Sequence, residues 1–376
     1  ATLTFGVGLV QGESWIYMFE AAVALAVSAI PEGLPAVVTI ALAIGVNRMA
    51  KRHAIVRKLP AVEALGSATY ICSDKTGTLT ENQMTVQAIY AGGQHYSVSG
   101  SGYSPKGDIA IATRTGGSPF EDGLPAALQT CLMAGVLCND ARLRQDGEHW
   151  SVVGDPTEGA LLASAAKADL NQVQLAAARP RLDSIPFESQ YQYMATLHDG
   201  NDRAIYVKGS VEALLSRCTH MLDRHGQIVP LARSPIQQAV DIMTEQALRV
   251  LALAYKPTAP HQHAIARDDL STGLVFVGLQ GMIDPPRPEA IAAVRACQSA
   301  GIKIAMITGD HIATARAIAR RMGIRKTEKV MAFEGQQLAA MSDRELASSL
   351  EVGDVFARVA PAHKLRLVEA LQSQGD

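Results

Sequence analysis

Apolar residues are distributed along this chain in two unlike ways. Over residues 16–46 they form an almost unbroken run, IYMFEAAVALAVSAIPEGLPAVVTIALAIGV, in which Glu20 and Glu32 are the only charged positions. About 20 apolar residues cross a bilayer, so a run of this length predicts a membrane segment. Pro31, Glu32, Gly33 and Pro35 interrupt its centre, where proline removes a backbone donor and clashes with the preceding turn. The segment reads as a broken transmembrane helix, although a buried core helix with a proline kink has the same composition. Further along, the apolar runs shorten and are separated by glycine, proline and polar turns. ATYIC (residues 68–72) reads as a buried strand, and the TGT that follows Lys75 as a turn. A second unit predicts a strand over residues 302–307, a turn at Thr308, Gly309 and Asp310, and a helix from Ile312 onward. The helix before it starts at Pro288 and ends near Gly301, proline leading and glycine closing. A third unit runs from DVFARV into a helix near Pro361. Strand and helix alternate, which predicts a Rossmann-like α/β domain with a parallel sheet.

Between these units the pattern is mixed. A Gly/Ser-rich stretch at 91–107, helices near 125–140 and 157–168, and strands at MATLH, RAIYVKG and VFVGLQG predict an α+β domain inserted into the first sheet. The expected organisation is a membrane segment at 1–50, a first domain in two parts at 51–89 and 281–376, and the insertion at 90–280. The length of 376 residues also suits two or three domains. The formal net charge of −2, with no basic stripe interleaved with aromatics, argues against a nucleic-acid partner. Five scattered cysteines without a Cys-x-x-Cys pair read as reduced thiols, neither a disulfide frame nor a zinc site. Arg48, Lys51, Arg52, Arg57 and Lys58 follow the apolar run with no acid among them, which places that end in the cytoplasm. The sequence reads as a fragment of a longer chain.

Candidate chemistry begins at Asp74. It stands just past a predicted strand, on the edge where open α/β sheets bind ligands. Gly77 lets the backbone approach an anion, and Thr76 and Thr78 can donate to phosphate oxygens. An aspartate so placed is a candidate nucleophile toward a phosphoryl group. A loop aspartate capping the next helix is the plainer alternative. In the apolar run, carbonyls freed around Val27, Ser28 and Ile30, with Glu32 beside them, would form an oxygen cage for a hard cation. A carboxylate at that depth costs about 2.5–3.5 kcal/mol and usually marks an ion pathway.

In order along the chain, PEGLP, CSDKTGTLT, VGDPTEGAL, KGSVEALL, LRVLALAY, DPPRPE, MITGDH and ARVAPAHK resemble the motifs of P-type cation-transporting ATPases, most closely the calcium-pump-like branch. The resemblance covers nearly the whole chain. It implies a haloacid-dehalogenase-like Rossmann phosphorylation domain, an inserted α+β nucleotide-binding domain and a preceding broken transmembrane helix. It also implies an integral, multi-pass membrane protein with both domains cytoplasmic, lacking here the actuator domain and the C-terminal membrane helices. Its expected partners are ATP, Mg2+, a lipid bilayer and a transported cation, calcium first, then sodium or another monovalent ion.

Carried over by residue, Asp74 resembles the phosphorylated aspartate and Thr76 a magnesium-side residue. Thr308, Gly309 and Asp310 resemble the second phosphate loop, and Lys364 the lysine offsetting phosphoryl charge. Asp284, Arg287 and Arg358 resemble residues on the hinge and phosphate side. Phe187 resembles the adenine-stacking ring, with Asp155, Lys208, Gly209 and Arg249 around the nucleotide. Val27, Ser28, Ile30 and Glu32 resemble the cation site. The loop after Phe187 departs from the family, reading SQYQYM where basic residues are usual. Two other readings stay open: a soluble phosphatase of the same fold, and a nucleotide-binding module without catalysis. The phosphatases carry a second aspartate two residues after the nucleophile as general acid/base, and here that position is Thr76.

Overall fold

The structure, a computed structural model, describes residues 1–29, 33–113, 116–118, 120, 123–200, 202–325 and 330–374. The chain divides into two compact units, Ala1–Thr69 and Tyr70–Asp376.

Among its described residues the first unit holds four helices, Thr2–Val10, Trp15–Ser28, Leu34–Ala50 and Pro60–Gly66. They correct the expectation of an integral, multi-pass membrane protein with a bilayer partner, since no helix among the described residues is long and apolar enough to cross a membrane. The apolar run is long only when counted through its prolines. It is divided into helices of 14 and 17 residues. At 1.5 Å per residue the longer spans about 25 Å, short of the roughly 30 Å hydrocarbon core. Pro35 sits in the first turn of its helix, where a missing N–H costs nothing. Val27 and Ser28 form the last turn of the Trp15–Ser28 helix, where Ser28 Oγ and Ala29 N both donate to the Leu25 carbonyl, at 3.0 and 3.2 Å. Ile30 and Glu32 lie outside the described residues.

Among its described residues the second unit has, besides a separate two-stranded hairpin, Arg142–Asp146 with His149–Val153, two main sheets. The smaller is parallel, in the order Tyr70–Asp74, Lys303–Ile307, Val355–Ala357, Ala332–Glu334. Helices Pro288–Ser299 and Ile312–Met322 pack on one face through Val294, Ala315, Ile318 and Met322. Helices Asp343–Val352 and Pro361–Gln374 cover the other through Leu346, Leu350, Leu367 and Leu371. Both faces are buried, as a parallel sheet requires. The first strand's residues 73 and 74 lie outside the span that ATYIC alone suggested, so Asp74 is the strand's last residue and pairs in register with Ile307.

The larger sheet has eleven strands among the described residues, antiparallel except where Cys218–Leu222 runs parallel to Leu274–Ile283. Leu274–Ile283 is its central strand, and all ten of its residues are buried. Leu274 and Phe276 join one apolar layer with Ile236 and Met243 of the Arg233–Glu245 helix. Val275 and Val277 join another with Leu128, Leu132 and Leu161 of the helices Ala126–Leu137 and Pro156–Ala166. The period of two along one strand thus feeds two cores.

The chain passes from the small sheet to the large one and back through two adjacent segments. Glu81 N donates to the Pro285 carbonyl at 3.0 Å and Arg287 N to that of Leu79 at 2.9 Å. Thr80 Oγ1 donates to Asp284 Oδ2 at 2.6 Å, and Arg287 Nε to the Thr80 carbonyl at 2.9 Å. Every link joins the outgoing segment to the returning one.

Candidate functional site

Three segments meet at the carboxyl edge of the parallel sheet. Asp74 ends its strand half-exposed, and Lys364, in the first turn of the Pro361–Gln374 helix, places Nζ 2.5 Å from Asp74 Oδ2. Between Asp74 and Thr80 the chain makes a wide turn closed by Thr80 N on the Lys75 carbonyl at 3.0 Å. Gly77 there takes φ +73, a left-handed conformation that glycine adopts without a side-chain clash. Thr76 and Thr78 are exposed on this turn.

After Ile307, Thr308 is buried and its Oγ1 accepts from Asp310 N at 3.1 Å. Gly309 is exposed, with open space around it. A third segment supports this turn: Arg358 N donates to the Asp310 carbonyl and Val359 N to that of Thr308, both at 3.1 Å. Arg358 manages this in a left-handed conformation, φ 52, with its residue exposed.

Lys75 is the residue the sequence reading passed over. It is buried, with Nζ 2.6 Å from Asp310 Oδ2 and 3.7 Å from Asp284 Oδ2. One ammonium therefore ties the turn after Ile307 to the segment returning from the larger sheet. Its signal was present as the residue immediately after Asp74 in a run otherwise read for oxygens. Arg287 completes the corner by donating Nη2 to the Gly77 carbonyl at 3.4 Å.

No group of three or more His, Cys, Asp or Glu side chains converges on a metal position among the described residues. The oxygens at this edge, the Asp74 carboxylate with the exposed Thr76 beside it, are too few to cage a cation alone. They fit Mg2+, which is ordinarily held by one or two carboxylates together with substrate phosphates.

On the larger sheet a cavity of about 360 Å³ is lined by Asp155, Glu158, Phe187, Lys208 and Arg249, among others. That size suits a small organic ligand. Phe187 presents a ring that is 57% exposed, unusual for an aromatic with only a packing role. Lys208 is buried, and its Nζ lies 2.5 Å from both Glu158 Oε1 and the Cys138 carbonyl. It forms the pocket's inner wall and its charge is met from within. Asp155 Oδ1 accepts from Thr157 N at 2.7 Å and Glu158 N at 3.3 Å, so it caps the Pro156–Ala166 helix while lining the cavity. An added Cβ at Gly209 would lie 2.4 Å from the Gln192 carbonyl, so glycine lets two backbones approach beside the pocket. Arg249 is exposed at the start of its strand.

Glu158 was not among the expected site residues, although it lies in the same VGDPTEGAL motif as Asp155. Besides Lys208 it holds Asp140 N and Ala141 N, each at 3.0 Å from Oε2.

Residues 127–289 match the family described as P-type ATPase, cytoplasmic domain N. The chain is 66% identical over its whole length to the cation-transporting ATPase pma1 of Synechocystis sp., covering 42% of that protein. It is 48% identical, again over its whole length, to the probable cation-transporting ATPase F of Mycobacterium tuberculosis, and covers 42% of it. Against the calcium-transporting ATPase of Bacillus subtilis the identity is 42%, over 99% of the chain and 42% of the relative. The chain thus spans about two-fifths of the length of these curated relatives.

Proposed function

We propose that this chain belongs with the P-type cation-transporting ATPases, that Asp74 accepts the γ-phosphoryl group of ATP and that this step drives cation transport, calcium being the cation. A haloacid-dehalogenase-type phosphorylation domain accounts for the parallel sheet and its carboxyl edge. The observation that carries the reading is the meeting of Asp74, Lys364 and the Thr308–Asp310 turn on that edge, joined by a lysine–carboxylate contact of 2.5 Å.

In the reaction a bond forms from an Asp74 carboxylate oxygen to the γ-phosphorus as the bond to the β,γ-bridging oxygen breaks. ADP leaves with that oxygen, and an aspartyl phosphate remains. Lys364 Nζ offsets charge on the transferring oxygens, since phosphoryl transfer is chiefly positioning and charge stabilisation. The Thr308 hydroxyl and the Gly309 amide supply further donors. Lys75 orients the turn by holding Asp310. Mg2+, held by Asp74 and Thr76 with the phosphates, would supply charge neutralisation between attacking and leaving oxygens. Thr76 stands where a hydrolase of this fold has its general acid, so the acyl phosphate outlasts a hydrolytic turnover. Phe187 stacks on the adenine, with Asp155, Lys208, Gly209 and Arg249 lining the rest of the nucleotide site; Asp284, Arg287 and Arg358 hold the phosphate side in place.

Calcium is favoured by the calcium-transporting relative and by a PEGLP segment without cysteine, which suits hard cations over soft ones. The test is phosphorylation of the complete protein from γ-labelled ATP, with one cation added at a time. Label should appear with calcium, be released by hydroxylamine and vanish in Asp74→Asn, which retains nucleotide binding. Label that survives the substitution, or resists hydroxylamine, overturns the assignment of Asp74. Activation by sodium and not calcium overturns the ion alone.

A further inference from the structure

The Gly/Ser-rich stretch ends in a closed loop and not a slack linker. Residues 99–108 join the paired strands Gln94–Val98 and Ile109–Thr113, in a connection about twice as long as most hairpins use. The two ends of the loop are locked together. Ser99 N donates to the Asp108 carbonyl at 2.9 Å, and Asp108 N to Ser99 Oγ at 2.8 Å. Gly107 permits this closure, since a Cβ there would lie 2.4 Å from the Ser99 carbonyl. In the middle of the loop, Gly102 and Tyr103 are buried.

The loop is tied down at two points. Gly102 N donates to Thr85 Oγ1 at 2.9 Å, and that hydroxyl donates to the Gln83 carbonyl at 3.3 Å. Gln83 N donates in turn to Asp284 Oδ1 at 3.2 Å, the carboxylate whose other oxygen holds Thr80. One tie therefore ends on the outgoing segment, at the corner where the chain crosses between the sheets. The other comes from Lys167, whose Nζ donates to the Ser99 carbonyl at 2.6 Å. Lys167 follows the Pro156–Ala166 helix, and the opposite end of that helix is capped by Asp155, in the wall of the nucleotide cavity. Its 11 residues make a rod of about 16 Å. One helix thus reaches from the cavity to the loop.

We propose that residues 99–108 are a strap that sets the larger sheet on the crossing segments, and that Lys167 is a positioning residue for phosphoryl transfer. The role rests on the reading that Asp74 takes the phosphoryl group from ATP held at Phe187. The cavity belongs to the larger sheet, whereas Asp74 ends a strand of the smaller one. The distance between donor and acceptor is therefore set by whatever holds the crossing. A misplacement of about 1 Å can slow a reaction roughly a hundredfold. Lys167 lines no part of the nucleotide cavity, so its loss acts on rate and spares affinity.

The experiment compares Lys167→Met and Lys167→Arg in the complete protein. It reads the phosphorylation rate from γ-labelled ATP at saturation, the ATP affinity by calorimetry, and amide hydrogen exchange along residues 81–85. Methionine keeps most of the aliphatic stem and removes the donor. Lys167→Met should slow phosphorylation at least about fivefold, leave ATP affinity within about twofold, and speed exchange at Gln83. Lys167→Arg, which can still donate to the Ser99 carbonyl, should restore both rate and exchange. Thr85→Val cuts the strap at its other tie and should give the same pattern. Added to Lys167→Met it should slow transfer little further, because two cuts in one tether are not additive. Unchanged rate and exchange, additive losses from the two cuts, or a loss of ATP affinity that matches the loss of rate would each overturn the proposal. Label that survives Asp74→Asn overturns the nucleophile instead, and exchange along residues 81–85 then still decides whether the strap holds the crossing.

Discussion

Lys75 shows how much one side chain can hold. Its ammonium is buried between Asp310 and Asp284, and removing one partner of such a group leaves uncompensated charge. Lys75→Met should therefore lower stability by about 3–5 kcal/mol, measured by denaturant unfolding. A loss under about 1 kcal/mol would show the pair to be solvated. Phe187 differs in being exposed, so truncation should leave the fold intact. Stacking on a base is worth about 1–3 kcal/mol, so Phe187→Ala should weaken ATP binding roughly tenfold or more. Unchanged affinity would place the adenine elsewhere. Burial pushes the ordinary pKa of His95 and His198 down, while the unfolded chain titrates near 6.5. Below that value the unfolded state binds more protons, so stability is intact above about pH 6.5 and falls as pH drops toward the folded values. Denaturation midpoints between pH 7.5 and 5 should show this slope, and His198→Gln should flatten it.

At the scale of elements, glycine contacts make a sharper test than propensity. A Cβ at Gly335 would lie 2.3 Å from the Arg358 carbonyl, in the segment that supports the Thr308–Asp310 turn. Gly335→Ala should lower the melting temperature and slow phosphorylation together, whereas a melting change alone would separate this contact from the turn. The units around Asp74 and Thr308 were legible because each carries its own punctuation, a short β-prone run and a glycine turn, followed after Thr308 by helical spacing. The Pro288–Ser299 helix was legible through Pro288 and Gly301. The break in the apolar run was legible from its prolines, but the membrane crossing was not, because neither flanking helix, Trp15–Ser28 or Leu34–Ala50, is long and apolar enough to span a bilayer. Lys75 and Glu158 were illegible for another reason. Their partners, Asp310 and Lys208, are 235 and 50 residues away, and no local pattern encodes such a pairing.

For the whole second unit, the link between the two sheets is the corner at Thr80, Asp284 and Arg287. Thr80 is fully buried and Asp284 nearly so, so their hydrogen bond at 2.6 Å is shielded from water. A double-mutant cycle on Thr80→Val and Asp284→Asn should give a coupling of about 0.5–3 kcal/mol. Additive losses would mean that the two crossing segments are held independently.

The same closure has a consequence in time. Tyr70 pairs with Lys303, 233 residues later in the chain. At about 5–20 residues per second, a ribosome makes the first strand roughly 12–47 s before its partner exists. Through that interval its apolar edge has no neighbour, while the hairpins of the larger sheet can already form from nearby segments. Once Leu274–Ile283 settles beside Thr85–Ala91, the two ends of that sheet emerge side by side. The long wait then ends as a short loop closure, and the strand bearing Asp74 is among the last parts of the protein to find its place.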